Sequence, residues 1–296
     1  DRWYSAQSGQ FSATRVFGVY EDLSGNEWIL SDNGLGMLAA GQTTPASYFV
    51  DAAEREKKGG QAFYSCLEYD SEIYFGSDNG RVWCYQKENG QFQLQNLPAS
   101  SRIVSINSVE GNELIFTTAK DGFFSYQPKT KALEHFPASR FPNASIHSVY
   151  VDKASEVWFE QHIPGTVVHF NPRTRILKHE KVPVEPTSTD RSRPAFHIHE
   201  DINGVLWVHP YGGGFSYFDR KSNSLHPFYN SLSGSDWRFS NKIHAAFSDR
   251  QGDLWMCTHS KGLEKVTFRP SQFRVMTPMP HDYESVSYTH LTLPTT

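Results

Sequence analysis

Trp237 and Arg238 are adjacent in a polar stretch of the chain and form the pair best suited to bind a ligand. Sugar rings stack on indole faces, and guanidinium groups pair with carboxylated or sulfated sugars. We expect Arg191, Arg193 and Tyr211 to lie near this pair. The alternative is that Trp237 packs between two repeats of the fold and is structural only.

Histidine is the residue type that most suggests a metal site, with 13 copies in the chain. His147 and His244 occupy the same position in a sequence repeat, five residues before an Asp, and His197 and His199 lie in the equivalent segment of another copy. Neither a His-x-x-x-His spacing nor a carboxylate partner accompanies them. We interpret them as core or solvated residues, and we predict no metal and no cofactor.

The sequence predicts no catalytic residues. Glycoside hydrolysis needs two carboxylates at a fixed separation, whereas the recurring Asp residues repeat as turn formers. No Gly-rich phosphate loop and no Gly-x-Ser-x-Gly elbow is present. Three cysteines give no disulfide framework, so we predict that Cys66, Cys84 and Cys257 are buried free thiols.

The composition indicates a globular protein. The 296 residues are 38% hydrophobic and 14% aromatic, with a net charge of −4. The basic residues are scattered, which argues against a nucleic-acid groove, and no apolar run is long enough to cross a bilayer.

Six anchor residues recur at near-constant spacing. Four are Trp residues six positions after an Asp: Asp22 and Trp28, Asp152 and Trp158, Asp201 and Trp207, Asp249 and Trp255. Tyr74 and Ile115 take the Trp position in two degenerate copies, and successive anchors are 46, 41, 43, 49 and 48 residues apart. Such periodicity is typical of repeat architectures.

Each copy has the pattern of four antiparallel strands. An alternating strand precedes an Asp-x-x-Gly turn, the anchor strand follows, and a Gly-containing hairpin leads to a third and a weaker fourth strand. Four strands in about 45 residues are typical of a propeller blade. We therefore predict an all-β β-propeller whose anchor side chains fill the space between blades.

The blade boundaries follow from the anchors. We expect residues 1–14 to be the remnant of a preceding blade and residues 15–275 to be a propeller of six visible blades. We expect these to be part of a seven-bladed ring, with a closed six-bladed ring as the alternative. The blades are expected near residues 15–58, 59–98, 99–138, 139–182, 191–230 and 240–275.

Three long insertions and the C-terminal stretch depart from the repeat. We expect the insertions, residues 43–58, 183–193 and 231–240, to be loops that converge on one ring face and could form a ligand site. Residues 276–284 are expected to be a linker to a second propeller. Residues 285–296 resemble a translated sequencing adapter, so we leave them out of the functional argument.

The motif Asp-x-x-Gly-x-Leu-Trp, followed by Gly-Leu or Gly-Phe, resembles the two-component regulator propeller repeat. The best copies are residues 200–207 and 248–258, and the resemblance covers about residues 14–284. The fourth copy departs from the motif, with Ser155 in place of Gly. Such repeats form the periplasmic sensor region of bacterial hybrid two-component histidine kinases.

The resemblance implies a ligand-sensing domain of a membrane-anchored kinase. In that family two propellers precede a small β-sandwich, a transmembrane helix and the kinase, and they respond to carbohydrate fragments and switch on polysaccharide-utilisation genes. The implied partners are an oligosaccharide, a second propeller with downstream domains, and a second subunit in a homodimer, but no nucleic acid. The fragment itself is expected to be no enzyme. The rival hypotheses are a propeller lyase or hydrolase, and a protein-interaction scaffold with an exposed apolar patch.

Overall fold

The computed structural model describes residues 13–49, 61–143, 145–161, 166–181, 196–210, 215–228, 243–258 and 262–267. Within these ranges the chain forms six separate antiparallel sheets, each with its strands in sequence order, and one 3-10 turn at Ala138–Arg140. The predicted all-β fold of four-stranded antiparallel blades is confirmed. The number of blades in the complete ring stays a prediction.

Five blades have four strands each, and the sixth has three among the described residues. The strands of blades one to three are β1 (Val16–Glu21), β2 (Glu27–Ser31), β3 (Leu35–Leu38), β4 (Ala46–Tyr48), β5 (Phe63–Tyr69), β6 (Glu72–Ser77), β7 (Val82–Gln86), β8 (Gln91–Gln95), β9 (Ile103–Val109), β10 (Glu113–Thr118), β11 (Phe123–Gln127) and β12 (Ala132–Phe136). Those of blades four to six are β13 (Ile146–Val151), β14 (Val157–Gln161), β15 (Thr166–Asn171), β16 (Ile176–Lys181), β17 (Phe196–Glu200), β18 (Leu206–Pro210), β19 (Phe215–Asp219), β20 (Ser224–Phe228), β21 (Ile243–Ser248), β22 (Leu254–Thr258) and β23 (Gly262–Val266).

The first strands of the blades line the axis of the propeller. They contact one another from blade to blade, β1 with β5, β5 with β9, β9 with β13 and β17 with β21. Each first strand begins at the ring face that carries the hairpins between second and third strands; we call this the mouth face. It ends at the opposite face, which we call the Asp-turn face because it carries the Asp-x-x-Gly turns.

Five hydrophobic clusters fill the five interfaces between consecutive blades. Each contains one anchor side chain packed on the following blade; in order these are Trp28, Tyr74, Ile115, Trp158 and Trp207. All five are buried, as predicted. The sixth anchor, Trp255, is only half-buried, because its side of β22 points away from blade five.

The exposure of one cysteine differs from the prediction. All three are free, and Cys66 and Cys84 lie on β5 and β7, the first and third strands of blade two. Burial raises the pKa of both thiols to about 12. Cys257, however, is exposed rather than buried. Cys257 follows Met256, whose side chain packs towards blade five. Because side chains alternate along a strand, Cys257 lies with Trp255 on the side of β22 that faces away from blade five.

The first long insertion also differs from the prediction, because part of it is a strand. β4 pairs with β3, Ala46 opposite Met37 and Tyr48 opposite Leu35. Phe49 follows with a φ of 58° and packs on Trp83, with 4.8 Å between ring centroids. A three-residue strand has no readable alternation, and backbone pairing with a neighbour defines it instead.

Candidate functional site at the channel mouth

The five residues that the sequence suggested for ligand binding lie outside the described residues. These are Trp237, Arg238, Arg191, Arg193 and Tyr211. The part of the chain that the structure describes contains no group of three or more His, Cys, Asp or Glu residues that could hold a metal ion. Nor does any helix within it have the length and apolar character needed to cross a membrane.

The repeat Asp and Trp residues are structural, and their link goes beyond the predicted turn. In the first blade, Oδ1 of Asp22 accepts hydrogen bonds from the backbone N–H groups of Ser24 and Asn26 at 2.9 and 3.0 Å, which holds the turn. Its Oδ2 accepts one from Nε1 of Trp28 at 3.0 Å. The same indole bond recurs in the other complete copies, at 2.9 Å (Asp152 and Trp158), 2.9 Å (Asp201 and Trp207) and 2.8 Å (Asp249 and Trp255).

The indole bond corresponds to a pattern in the sequence, in which the Asp and the Trp are present or absent together. The two copies without an anchor Trp also lack the Asp six residues earlier, where Glu68 and Val109 stand instead. The Asp is therefore retained together with the indole that it accepts a bond from. These carboxylates therefore bind their own turn and the anchor indole together, as the predicted turn-forming role requires.

Two equivalent carboxylates join neighbouring blades at the Asp-turn face. We call them, with their partners, the Glu68 cluster and the Glu200 cluster. Glu68 lies on β5 and accepts hydrogen bonds from the backbone N–H of Leu23 at 2.8 Å and the hydroxyl of Tyr20 at 3.1 Å, both in blade one. It also pairs with Lys87 of its own blade.

The Glu200 cluster repeats this arrangement between blades four and five. Glu200 accepts a hydrogen bond from the backbone N–H of Lys153 at 2.7 Å and lies 3.2 Å from Arg220. Arg220 also reaches Asp152 at 3.1 Å and Glu156 at 3.3 Å. Burial alone would lower the pKa of Arg220, but these three carboxylates outweigh it and raise the pKa. The charged groups of the Glu200 cluster therefore connect blade four to blade five.

At the mouth face, two carboxylates fix the starts of first strands. Asp32, in the β2–β3 hairpin, accepts hydrogen bonds from the backbone N–H groups of Thr14 and Arg15, both at 3.0 Å. Asp121, in the β10–β11 hairpin, accepts those of Ser100 at 3.0 Å and Ser101 at 2.8 Å. Burial alone would raise the pKa of each carboxyl, but the hydrogen bonds outweigh it and lower the pKa.

Just after these starts, five of the six described first strands carry a β-bulge. The register shifts at the bulge, and the extra residues in blades one, two, four and six are Phe17, Tyr64, His147 and His244. This explains why the two histidines share a position in the sequence repeat, although their side chains lie outside the described part of the structure. In blade three the corresponding shift falls at Val104. Bulges re-aim side chains and are common beside functional sites.

The bulge residues of blades one and two form an aromatic stack at the channel mouth. The rings of Phe17 and Tyr64 are 4.3 Å apart between centroids, with 28° between their planes. The guanidinium carbon of Arg102, at the start of β9, lies 4.9 Å from the centroid of Tyr64. Phe17 is 38% exposed. One stack thus spans three blades and presents an exposed ring and a cation to solvent.

A cavity of about 290 Å³ lies beside this stack, between the first strands of blades one to three. Tyr64 belongs to its wall, together with Gly18, Ser65 and Ser105. The hydroxyl of Ser105 is buried and has no hydrogen-bond partner among the described residues. The site therefore combines a ring surface, a guanidinium and wall hydroxyls, which suits binding of a polar ring-shaped ligand.

A second cavity, also of about 290 Å³, lies at the outer rim between β8 and β12. Its aromatic floor, Phe116 and Tyr126, is 0% and 4% exposed, so neither ring offers a stacking surface. Its cation, Lys131, lies over the Tyr126 ring at 5.9 Å. Burial alone would lower the pKa of Lys131, but its interactions with Tyr126 and Glu72 outweigh this and raise the pKa. The mouth site is therefore the better candidate.

Solved structures show the same fold. No protein-family model matches the chain, and no curated protein is similar to it in sequence. The chain is similar to the extracellular domains assigned to two hybrid two-component systems of B. thetaiotaomicron. The BT4673 domain is 18% identical with a TM-score of 0.60, over 93% of this chain and 34% of that one. The BT3049 domain is 15% identical with a TM-score of 0.59, over 87% and 34%.

An enzyme shares the architecture as well. Virginiamycin B lyase from Staphylococcus aureus is 15% identical with a TM-score of 0.58, over 88% of this chain and 86% of the lyase. The present chain spans about a third of the length of the two sensor domains. At these identities the comparisons establish the fold: the chain is a β-propeller of the kind found in extracellular sensor domains and in propeller lyases.

Proposed function

We propose that this chain is a ligand-sensing, extracytoplasmic propeller of a hybrid two-component histidine kinase, and that it recognises oligosaccharide fragments. The observation that carries the proposal is the exposed stack of Phe17, Tyr64 and Arg102 beside the channel cavity. Sugar rings stack on aromatic side chains, and hydroxyl groups bind the polar wall of such a site. The repeat motif and the fold of the two hybrid-system domains support the sensor role.

The proposed mechanism is a population shift. A bound glycan fragment favours one arrangement of this propeller relative to a second propeller and to the partner subunit of a homodimer. The change passes through the inner membrane to the kinase and activates polysaccharide-utilisation genes. The chain itself then has no catalytic role and resides in the periplasm.

Isothermal titration of the 296-residue chain against a panel of neutral and acidic oligosaccharides tests the proposal. We expect saturable binding of at least one glycan and at least a tenfold weaker affinity after Phe17→Ala, about 1.4 kcal/mol. Leu94→Ala is the matched control, because Leu94 is also 38% exposed but lies at the outer rim. It should leave the affinity unchanged.

Other outcomes of these titrations would overturn the proposal or favour a rival hypothesis. Absence of binding across the whole panel would overturn the proposal. Turnover of a glycan or another substrate by the purified chain would favour the lyase hypothesis, which the shared fold of virginiamycin B lyase supports. Equal loss of affinity in Phe17→Ala and Leu94→Ala would show that the mouth is not the site.

A further inference from the structure

Arg102 differs from the paired arginines of the Asp-turn face. The guanidinium groups of Arg173, Arg175 and Arg220 all form ion pairs at the Asp-turn face. Arg102 is exposed, stacks on Tyr64, and has no ion pair among the described residues. Arg15 takes the equivalent position before β1 and is also exposed without an ion pair in that part of the chain. The guanidinium groups of Arg15 and Arg102 at the mouth face are therefore not used in ion pairs within the described part of the protein.

The carboxylates of the mouth face do not balance these cations. In residues 13–17, 31–35, 77–82, 99–104 and 118–123 there are four cations, Arg15, Arg81, Arg102 and Lys120, against three carboxylates, Asp32, Asp78 and Asp121. Two of the three, Asp32 and Asp121, already accept several hydrogen bonds from strand starts. These described segments thus carry one more cation than carboxylate, in a chain whose net charge is −4.

An arginine stacked on an aromatic ring is well prepared to bind an anion. The ring orients the guanidinium plane and stabilises its charge. The edge of the guanidinium stays available for two parallel hydrogen bonds to a carboxylate or sulfate. The exposed ring of Phe17 lies in the same stack, so a sugar ring and its anionic substituent can be held at once.

We infer that the channel mouth selects acidic saccharides, with a uronate carboxylate or a sulfate on Arg102 and a sugar ring on Phe17. The inference rests on the proposed function, since it names the class of glycan that the sensing site takes. It places anion recognition at the first strands of blades one to three.

The test uses probes in matched pairs. Trigalacturonate is compared with α-1,4-linked galactotriose, and a sulfated chondroitin disaccharide with its unsulfated counterpart, by isothermal titration of the full chain. We expect the acidic member of at least one pair to bind at least tenfold more tightly. Its affinity should fall as salt is raised, because an exposed ion pair is screened.

Substitutions test whether the anionic group of the ligand binds at Arg102. Arg102→Gln should abolish the preference within the pair, Arg102→Lys should retain part of it, and Arg173→Gln, at an exposed ion pair on the opposite face, should leave it unchanged. Equal or tighter binding of the neutral members would overturn the inference and leave the sensing proposal standing. An acidic preference that survives Arg102→Gln would overturn the assignment to this site. No binding of any probe or panel glycan would count against both.

Discussion

The indole of Trp28 donates a hydrogen bond from Nε1 to Oδ2 of Asp22 at 3.0 Å, across a spacing of six residues. This single bond joins the Asp-x-x-Gly turn to the interface between blades one and two, where Trp28 is fully buried. Turn and core are thus specified together in each complete repeat. The relationship leads to predictions about stability that are independent of any ligand.

Asp22→Asn should lower the free energy of unfolding by about 1–3 kcal/mol. Four donors converge on the carboxylate, namely two backbone N–H groups, the side-chain amide of Asn26 and the indole of Trp28. An amide offers one accepting oxygen instead of two, so at least one donor loses its partner. Urea unfolding at neutral pH measures the loss. Asp70→Asn, at an exposed turn residue of the degenerate second blade, is the control and should stay within about 0.5 kcal/mol; equal losses in both variants would contradict the prediction.

The contribution of Asp22 should depend on pH. Burial alone would raise its pKa, but hydrogen bonds from Trp28, Asn26 and Ser24 outweigh this and lower the pKa. A lowered folded-state pKa gives stability that is complete above the unfolded pKa, about 3.9, and that is lost as the pH falls through the folded value. The difference in unfolding free energy between wild type and Asp22→Asn should be constant from pH 7 to about pH 5 and shrink below about pH 4. A difference that stays the same down to pH 3 would refute this origin.

The Glu68 cluster should stabilise the interface between blades one and two. Glu68→Gln removes the charge that accepts bonds from Leu23 and Tyr20 and that pairs with Lys87, so we expect a loss of about 1–3 kcal/mol. Thermal and urea unfolding measure it. Arg173→Gln breaks an ion pair whose partners are 68% and 55% exposed, and it should change stability by less than about 0.5 kcal/mol. A larger effect of Arg173→Gln than of Glu68→Gln would reverse our assignment.

The sequence predicted much of the fold, because repeats make local signals agree. The strands around Trp28 and Trp158, the turns and the buried anchors all follow from patterns within one copy. The Glu68 cluster could not be predicted in this way, since its donors come from the preceding blade. The same holds for the stack of Phe17 and Tyr64, which depends on a bulge in each of two blades. Contacts between side chains of different blades have no fixed sequence spacing from which they could be predicted.

Gly76 should be essential to the packing of blades two and three. A Cβ at this position would lie 2.5 Å from Cγ2 of Ile103 and 2.5 Å from Oγ of Ser65. Gly76→Ala should therefore destabilise the protein by about 1–3 kcal/mol through overpacking. Gly18→Ala is the control, because a Cβ there meets nothing within 4 Å. Comparable unfolding midpoints for the two variants would show that this interface adapts more easily than its geometry indicates.

Ser155 departs from the repeat, and restoring the glycine should stabilise the protein. Ser155 has a φ of 62°, whereas the equivalent Gly25, Gly204 and Gly252 have φ of 77°, 77° and 82°. A side chain in this left-handed conformation costs about 1–2 kcal/mol, and the greater freedom of glycine in the unfolded chain offsets part of the gain. We expect Ser155→Gly to raise the unfolding free energy by about 0.5–1 kcal/mol.

The reverse change provides the matched control for Ser155→Gly. A Cβ at Gly204 meets nothing within 4 Å, so Gly204→Ser introduces the left-handed conformation without a clash. It should lower the unfolding free energy by about the amount that Ser155→Gly raises it. Any departure of the double variant from the sum of the two single effects measures coupling between these turns, which Lys153 connects through its bonds to Glu200 and Asp201. Destabilisation by Ser155→Gly would mean that the serine makes a contribution to blade four beyond its backbone conformation.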